Sequence, residues 1–259
     1  MSELLAVSNL AVRFGGLVAV RDASFRIASG EIRGLIGPNG AGKTTVINAI
    51  TGTVRASGEV LLDGRSIGGL APHLISRCGI ARTFQHVEPF DTLSVLDNIL
   101  LGVGRHAPVP FAHAALATPL ARSREREATR EALDVLERFD LLPFRDARAA
   151  DLPFGVQKRM DLARALAAKP KLLLMDEPTS GMSESEADRA IAAARELASS
   201  HRMTLLVVEH NMRVMMALAD TVTVMQNGSV IAEGAPAAIQ RNPVVVDAYL
   251  GEEAADAVD

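Results

Sequence analysis

Gly37-Pro38-Asn39-Gly40-Ala41-Gly42-Lys43-Thr44 is the stretch on which the reading of this 259-residue chain turns. Its spacing is G-x-x-x-x-G-K-[ST], the pattern of a loop that cradles phosphates. The context agrees: Ile32–Ile36 before it reads as a short apolar strand, and Thr44–Thr51 after it has the composition of a helix. Glycines let backbone N–H groups turn inward around phosphate oxygens, and a helix start adds a partial positive charge at the same point. Lys43 can then reach the terminal phosphates of a nucleotide, while the Thr44 hydroxyl can ligate magnesium. A chance glycine turn before a helix would account for neither the lysine nor the threonine.

Many enzymes carry such a loop, so other segments must choose among them. In Leu172-Leu173-Leu174-Met175-Asp176-Glu177, four apolar residues predict a buried parallel strand. Asp176 then emerges at the carboxyl end, where such sheets place ligands, and can hold magnesium directly or through water. Glu177 is either an ordinary solvated acid or a carboxylate that orients and polarises water attacking a γ-phosphate. Beside a complete phosphate loop the second reading is the stronger. His210 ends another apolar strand, Leu205–Glu209. A histidine at that edge can hydrogen-bond a γ-phosphate or its water, although a lone histidine is more often structural.

Working outward, Leu5–Phe14 and Val18–Ile27 are β-rich runs joined at Gly15-Gly16, and Glu59–Leu62 is a strand closed by Asp63-Gly64. Ser94 is placed to cap a helix over Val95–Leu101, and Gly102–Pro119 reads as an irregular insertion. A long amphipathic helix follows, with Ala128, Ala132, Val135, Leu136 and Phe139 on one face, and then a helix over Val156–Ala168. The last third alternates: Glu184–Ala198 helix, Leu205–Val208 strand, Met212–Leu218 helix. It closes with strands Thr221–Gln226 and Val230–Ala232 about an Asn227-Gly228 hairpin turn. Such alternation predicts an α/β fold with a largely parallel sheet covered by helices.

Composition narrows the setting. Hydrophobic residues make up 48%, an ordinary globular share, and the formal net charge is −4 with no basic block, which weighs against nucleic acid as a partner. Cys78 is the sole cysteine, so no internal disulfide can form. The start Met1-Ser2-Glu3-Leu4-Leu5 lacks the pattern of a signal peptide. The most apolar long stretch, Pro108–Leu120, falls short of the roughly 20 residues of a spanning helix. A soluble, cytoplasmic chain that serves any membrane from its surface is the expectation.

Taken in order, these motifs resemble the ATP-binding cassette family over essentially the whole chain. They are the phosphate loop at 37–45, Gln85, a signature segment before Arg164-Ala165-Leu166, the Asp176-Glu177 pair and His210. The resemblance implies an α/β P-loop NTPase fold with a mainly parallel core sheet, an N-terminal antiparallel β subdomain and a helical subdomain. It places 1–84 and 169–259 in the catalytic core and 85–168 in the helical part. It implies a magnesium-dependent ATPase, with ATP and magnesium bound by Gly37, Pro38, Asn39, Gly40, Ala41, Gly42, Lys43, Thr44 and Thr45. The magnesium contacts would come from Thr44, Gln85 and Asp176. Catalysis would fall to Glu177, His210 and Gln85. The family's adenine-stacking aromatic matches Phe14, for which core packing stands as the alternative.

The signature departs from the familiar L-S-G-G-Q, reading Leu152-Pro153-Phe154-Gly155-Val156. Pro153 replaces a serine whose hydroxyl and N–H meet the γ-phosphate of the opposing subunit's ATP, and proline supplies neither donor. Gly155 and the helix beginning near Val156 can still present N–H groups. Ser183, in Ser180-Gly181-Met182-Ser183, stands where the family usually carries aspartate. These features, with Ala81-Arg82-Thr83-Phe84-Gln85, Val208–Met212 and Asp247-Ala248-Tyr249-Leu250-Gly251, resemble the ATP-binding subunits of branched-chain amino acid importers. That implies two permease subunits, a second and non-identical ABC ATPase, an external binding protein acting indirectly, and a peripheral place on the cytoplasmic face of the inner membrane. Urea or amides, other amino acids and lipopolysaccharide export are the alternative cargoes, and a soluble ABC protein outside transport is the rival class.

Overall fold

The structure is a computed structural model and describes residues 2–83, 90–104 and 118–256, with side chains described as far as residue 249. In chain order it runs β1 (Glu3–Phe14), β2 (Leu17–Ala28), β3 (Ile32–Ile36), α1 (Lys43–Ile50), β4 (Ser57–Leu62), β5 (Arg65–Ser66), α2 (Pro72–Arg77) and β6 (Ile80–Arg82). Then come α3 (Val95–Gly104), α4 (Pro119–Arg138), α5 (Phe154–Ala167), β7 (Leu172–Asp176), α6 (Glu184–Ser200) and β8 (Thr204–Val208). The chain ends with α7 (Met212–Leu218), β9 (Thr221–Gln226), β10 (Ser229–Gly234), α8 (Pro236–Ile239) and α9 (Pro243–Asp256).

By packing, the residues form two units. One holds Met1–Ile80, Lys171–Glu177 and Arg202–Asp259, the other Ala81–Pro170 and Pro178–His201. By contact, Pro178–His201 groups with the helices of the second unit, where α6 packs against α5.

In the first unit the strand order is β5-β4-β1-β2-β10-β9-β3-β8-β7. β9, β3, β8 and β7 are parallel neighbours, while β1 pairs antiparallel with β2 and β4. Every residue of β3, β7 and β8 is buried, as expected for parallel strands covered on both faces. One face carries Leu35, Leu172, Leu174 and Leu206 into a core with Val46, Ile47 and Ile50 of α1 and Leu5, Leu10 and Ile27 of the antiparallel strands. Ile36, Val222 and Val224 form a second cluster with Met215 and Ile239. Such side chains contribute roughly 1.5–3 kcal/mol each when fully buried. Arg33 sits inside β3 and is only 5% exposed. Its charge is satisfied by Glu31 at 2.7 Å, Glu233 at 2.6 Å and the Thr223 hydroxyl at 3.0 Å.

Register is what positions the site. Leu35 lies opposite Val208, and Val208 lies opposite Asp176. The carboxyl ends of β3, β8 and β7 are therefore level, and the loop at Gly37, the residues after Val208 and the Asp176-Glu177 pair leave the sheet along one edge.

In the second unit, the Asp97 N–H donates to Ser94 Oγ at 3.0 Å, the cap expected from sequence. α3 buries Val95, Ile99 and Val103 and packs on α4 and α5. α4 starts on Thr118, whose hydroxyl accepts from the Ala121 N–H at 3.3 Å, and buries Ala132, Val135 and Leu136. Among the described residues no helix is long and apolar enough to cross a membrane.

Candidate active site

The loop between β3 and α1 is built on left-handed glycines. Gly40 has φ 73° and Gly42, the N-cap of α1, φ 98°. A Cβ at Gly42 would lie 2.6 Å from the Ala19 carbonyl oxygen, so backbone conformation and close approach both demand glycine there. No side chain caps the start of α1, and an open helix N-terminus attracts anions. The Lys43 ammonium donates to the carbonyls of Gly37 at 2.7 Å and Pro38 at 2.8 Å, so the loop curls around its own lysine. The β9–β10 turn buttresses it from behind: the Gly228 N–H donates to the Ala41 carbonyl at 3.1 Å, and the Arg21 N–H to the Gly228 carbonyl at 2.8 Å.

The carboxylates stand on the neighbouring strands. Asp176 is 2% exposed, and the Thr44 hydroxyl donates to its Oδ1 at 3.5 Å. A hydroxyl paired with a carboxylate is the hard-oxygen set that magnesium takes from a protein, with the remaining ligands coming from water and substrate phosphates. No group of three or more His, Cys, Asp or Glu that could hold a metal occurs among the described residues. Glu177 holds a left-handed φ of 50°, uncommon for a side chain with a Cβ, and its N–H donates to the Val208 carbonyl at 2.9 Å. Its Oε1 lies 3.7 Å from His210 Nδ1.

A cleft of about 390 Å³ brings most of these residues together. Asn39–Thr45 form its floor, Glu177 and Val208 one side, and Phe14, Leu17 and Val18 another. Phe14 is 49% exposed, so its ring stands in the cleft wall instead of the core. Leu17 is 67% exposed and lies opposite Phe14 in the β1–β2 register. Sequence reasoning passed over Leu17, although a turn at Gly15-Gly16 sets exactly one partner for Phe14. Gly155 lies in the second unit, in the first turn of α5, and Gln85 lies outside the described residues.

The model of a family described as ABC transporter matches residues 20–180, which take in the loop, Asp176 and Glu177. The chain belongs to that family. A second model, described as the branched-chain amino acid ATP-binding cassette transporter, matches residues 229–255 of this ABC cassette. The cassette is 40% identical over 250 residues to the high-affinity branched-chain amino acid transport ATP-binding protein BraF of Pseudomonas aeruginosa, covering 96% of this chain and 98% of that one. It is 38% identical to the Escherichia coli protein LivG of the same description, with the same coverage. Among solved structures, an ATP-binding cassette of an ABC transporter in its ADP conformation superposes with TM-score 0.80 at 32% identity, covering 97% of this chain and 100% of that one. A nucleotide-free cassette gives 0.78 at 31%, covering 95% and 98%. The fold expected from the motifs is thus the fold of the cassette, and the family makes it a nucleotide-binding ATPase of a transporter.

Proposed function

We propose that this chain hydrolyses ATP with magnesium, on the cytoplasmic face of the inner membrane, to drive a branched-chain amino acid importer. The observation that carries ATP hydrolysis is the meeting of the phosphate loop, the Thr44–Asp176 pair and Glu177 at one sheet edge. The cargo is supported by near full-length likeness to BraF and LivG and by the match over 229–255.

Loop amides and Lys43 bind the β- and γ-phosphates, and Phe14 offers its face to adenine with Leu17 beside it. Thr44 and Asp176 are the described residues that would hold magnesium, which when bound neutralises phosphate charge. Glu177 takes the proton of the attacking water as its oxygen bonds to the γ-phosphorus; the bond to the bridging oxygen breaks and ADP departs. His210, 3.7 Å from Glu177, is assigned a hydrogen bond to the γ-phosphate or its water. Gln85 is assigned the water and magnesium contact by resemblance alone. The first turn of α5 at Gly155 serves the ATP of an opposing, non-identical ABC ATPase, so two chains clamp two nucleotides. Two permeases receive that closure, with a binding protein outside acting indirectly. ATP binds the closed pair better than the open one, and this difference does the work.

The test is uptake by proteoliposomes holding this chain with the ATPase and permeases that co-purify from native membranes. ATP-dependent uptake of leucine, isoleucine or valine is the expected result. Uptake of urea, a short amide or another amino acid instead overturns the cargo, and absence of ATP turnover overturns the whole reading.

A further inference from the structure

The two places where this chain leaves the familiar cassette pattern, Pro153 and Ser183, are linked through the neighbouring residues Phe154 and Gly181. Pro153 is the N-cap of α5 and brings no side-chain cap, and Phe154 follows it. Gly181, two residues before Ser183, has φ +77°, and a Cβ there would lie 2.4 Å from Phe154 Cε1 and 2.6 Å from its Cδ1. The ring therefore rests directly on the Gly181 backbone. Phe154 is 51% exposed, so burial in a core does not explain the contact. One turn on, Lys158 Nζ stands 6.0 Å from the ring centroid.

A second tie runs beside the first. Glu186 accepts from the Ser183 N–H at 3.1 Å and from its hydroxyl at 2.7 Å, closing the start of α6. The same carboxylate lies 3.8 Å from the Arg159 guanidinium of α5. A Cβ at Gly155 would sit 3.7 Å from both Glu186 carboxylate oxygens and from the Gly181 carbonyl. The starts of α5 and α6 are thus bolted together through Phe154–Gly181 and Arg159–Glu186, with Ser183 where aspartate is usual and Pro153 where serine is usual.

We infer that Phe154 is a positioning residue for ATP hydrolysis: its ring, seated on Gly181, fixes the height and direction of the first-turn N–H groups of α5. In a cassette with the usual serine, a hydroxyl would help to place phosphate at this point. Here a rigid mount replaces that adjustable donor, and the remaining N–H groups meet the opposing γ-phosphate only if α5 is held still. Glycine at 181 is required because any Cβ would lift the ring off its seat. The inference rests on the composite ATP site described above.

The experiment uses the complete transporter with its permeases and partner ATPase. Phe154→Ala is expected to lower kcat for ATP by about tenfold or more, since small misplacements of a positioning group are costly, and to move KM less than threefold. Phe154→Tyr keeps the ring and restores kcat to within about twofold. Gly181→Asn accepts the left-handed backbone but adds a Cβ, so it lowers kcat as Phe154→Ala does; the double variant loses no more than either single one. The melting temperature of each isolated variant, measured alongside, stays at the parent value. Parental kcat in Phe154→Ala, failure of tyrosine to restore it, or losses that multiply in the double variant would each overturn the inference. An inactive parent complex would instead sink the proposed function.

Discussion

Replacing Glu177 by glutamine separates chemistry from binding. Glutamine keeps the shape and the backbone N–H bond to Val208, so the left-handed turn at 177 has no reason to change. What is lost in the folded state is a contact of 3.7 Å to His210, between side chains 27% and 67% exposed. Exposed pairs of this kind contribute about 0.2–1 kcal/mol. For a chain of this size that is a shift of no more than about 2–4 °C in melting temperature. A positioned general base contributes roughly 10²–10⁴-fold to rate. At about 1.36 kcal/mol per decade, that is roughly 3–5 kcal/mol of transition-state stabilisation, several times the structural loss. Steady-state ATPase of the assembled complex should therefore fall by about 10²–10⁴ in kcat. ATP affinity of the isolated chain, measured by titration, should stay within about threefold, because Lys43 and the loop amides are untouched. Turnover within tenfold of the parent refutes the assignment of Glu177 as base. So does a loss of ATP affinity as large as the loss of rate.

Lys43→Ala removes the ammonium held by the Gly37 and Pro38 carbonyls. At about 1.5–3 kcal/mol for a charged hydrogen bond, ATP affinity should fall roughly 10- to 150-fold by calorimetry; unchanged affinity would remove Lys43 from the site. Phe14→Ala should weaken ATP by several-fold or more, at about 1–3 kcal/mol for base stacking. Tripolyphosphate affinity and melting temperature should stay constant, and a large drop in melting temperature would return Phe14 to the core. The Ser183 hydroxyl and N–H hold the Glu186 carboxyl below its ordinary range. Its stabilising contribution is therefore complete above the unfolded-state pKa and is lost as pH falls through the lowered folded-state value. Ser183→Ala should flatten the acid limb of melting temperature against pH, and an identical limb in both proteins would contradict that bond.

The sequence read well wherever chemistry and local structure coincide. The loop at 37–44 predicts strand, turn and helix together, and β3 and α1 flank it in the structure. Asn227-Gly228 predicts a hairpin, and β9 and β10 pair across it. Thr221–Gln226 and Met212–Leu218 begin and end as their periodicity indicates. Strand order was not legible: nothing local in Ser229 says that it pairs in parallel with Asp22. The packing of α6 on α5 was no more legible, since it is set by long-range contact and not by the pattern of α6 itself. At the signature, Pro153 read only as the loss of a donor. The seat of Phe154 on Gly181 joins positions 27 apart, and no periodicity links them.

β3, which carries the phosphate loop, is hydrogen-bonded to β8 and β9 and to no other described strand. Both neighbours are encoded far downstream: β8 opens at Thr204, while β3 closes at Ile36. A ribosome adding roughly 5–20 residues per second needs on the order of 10–30 s to cross that interval. During it, the strand beneath the cleft has no partner. Vectorial synthesis therefore leaves an apolar, unpaired strand waiting beside an already complete β1–β2 hairpin. A nascent chain halted before Thr204, with neither neighbour of β3 yet made, should be unable to hold nucleotide, however perfect its loop.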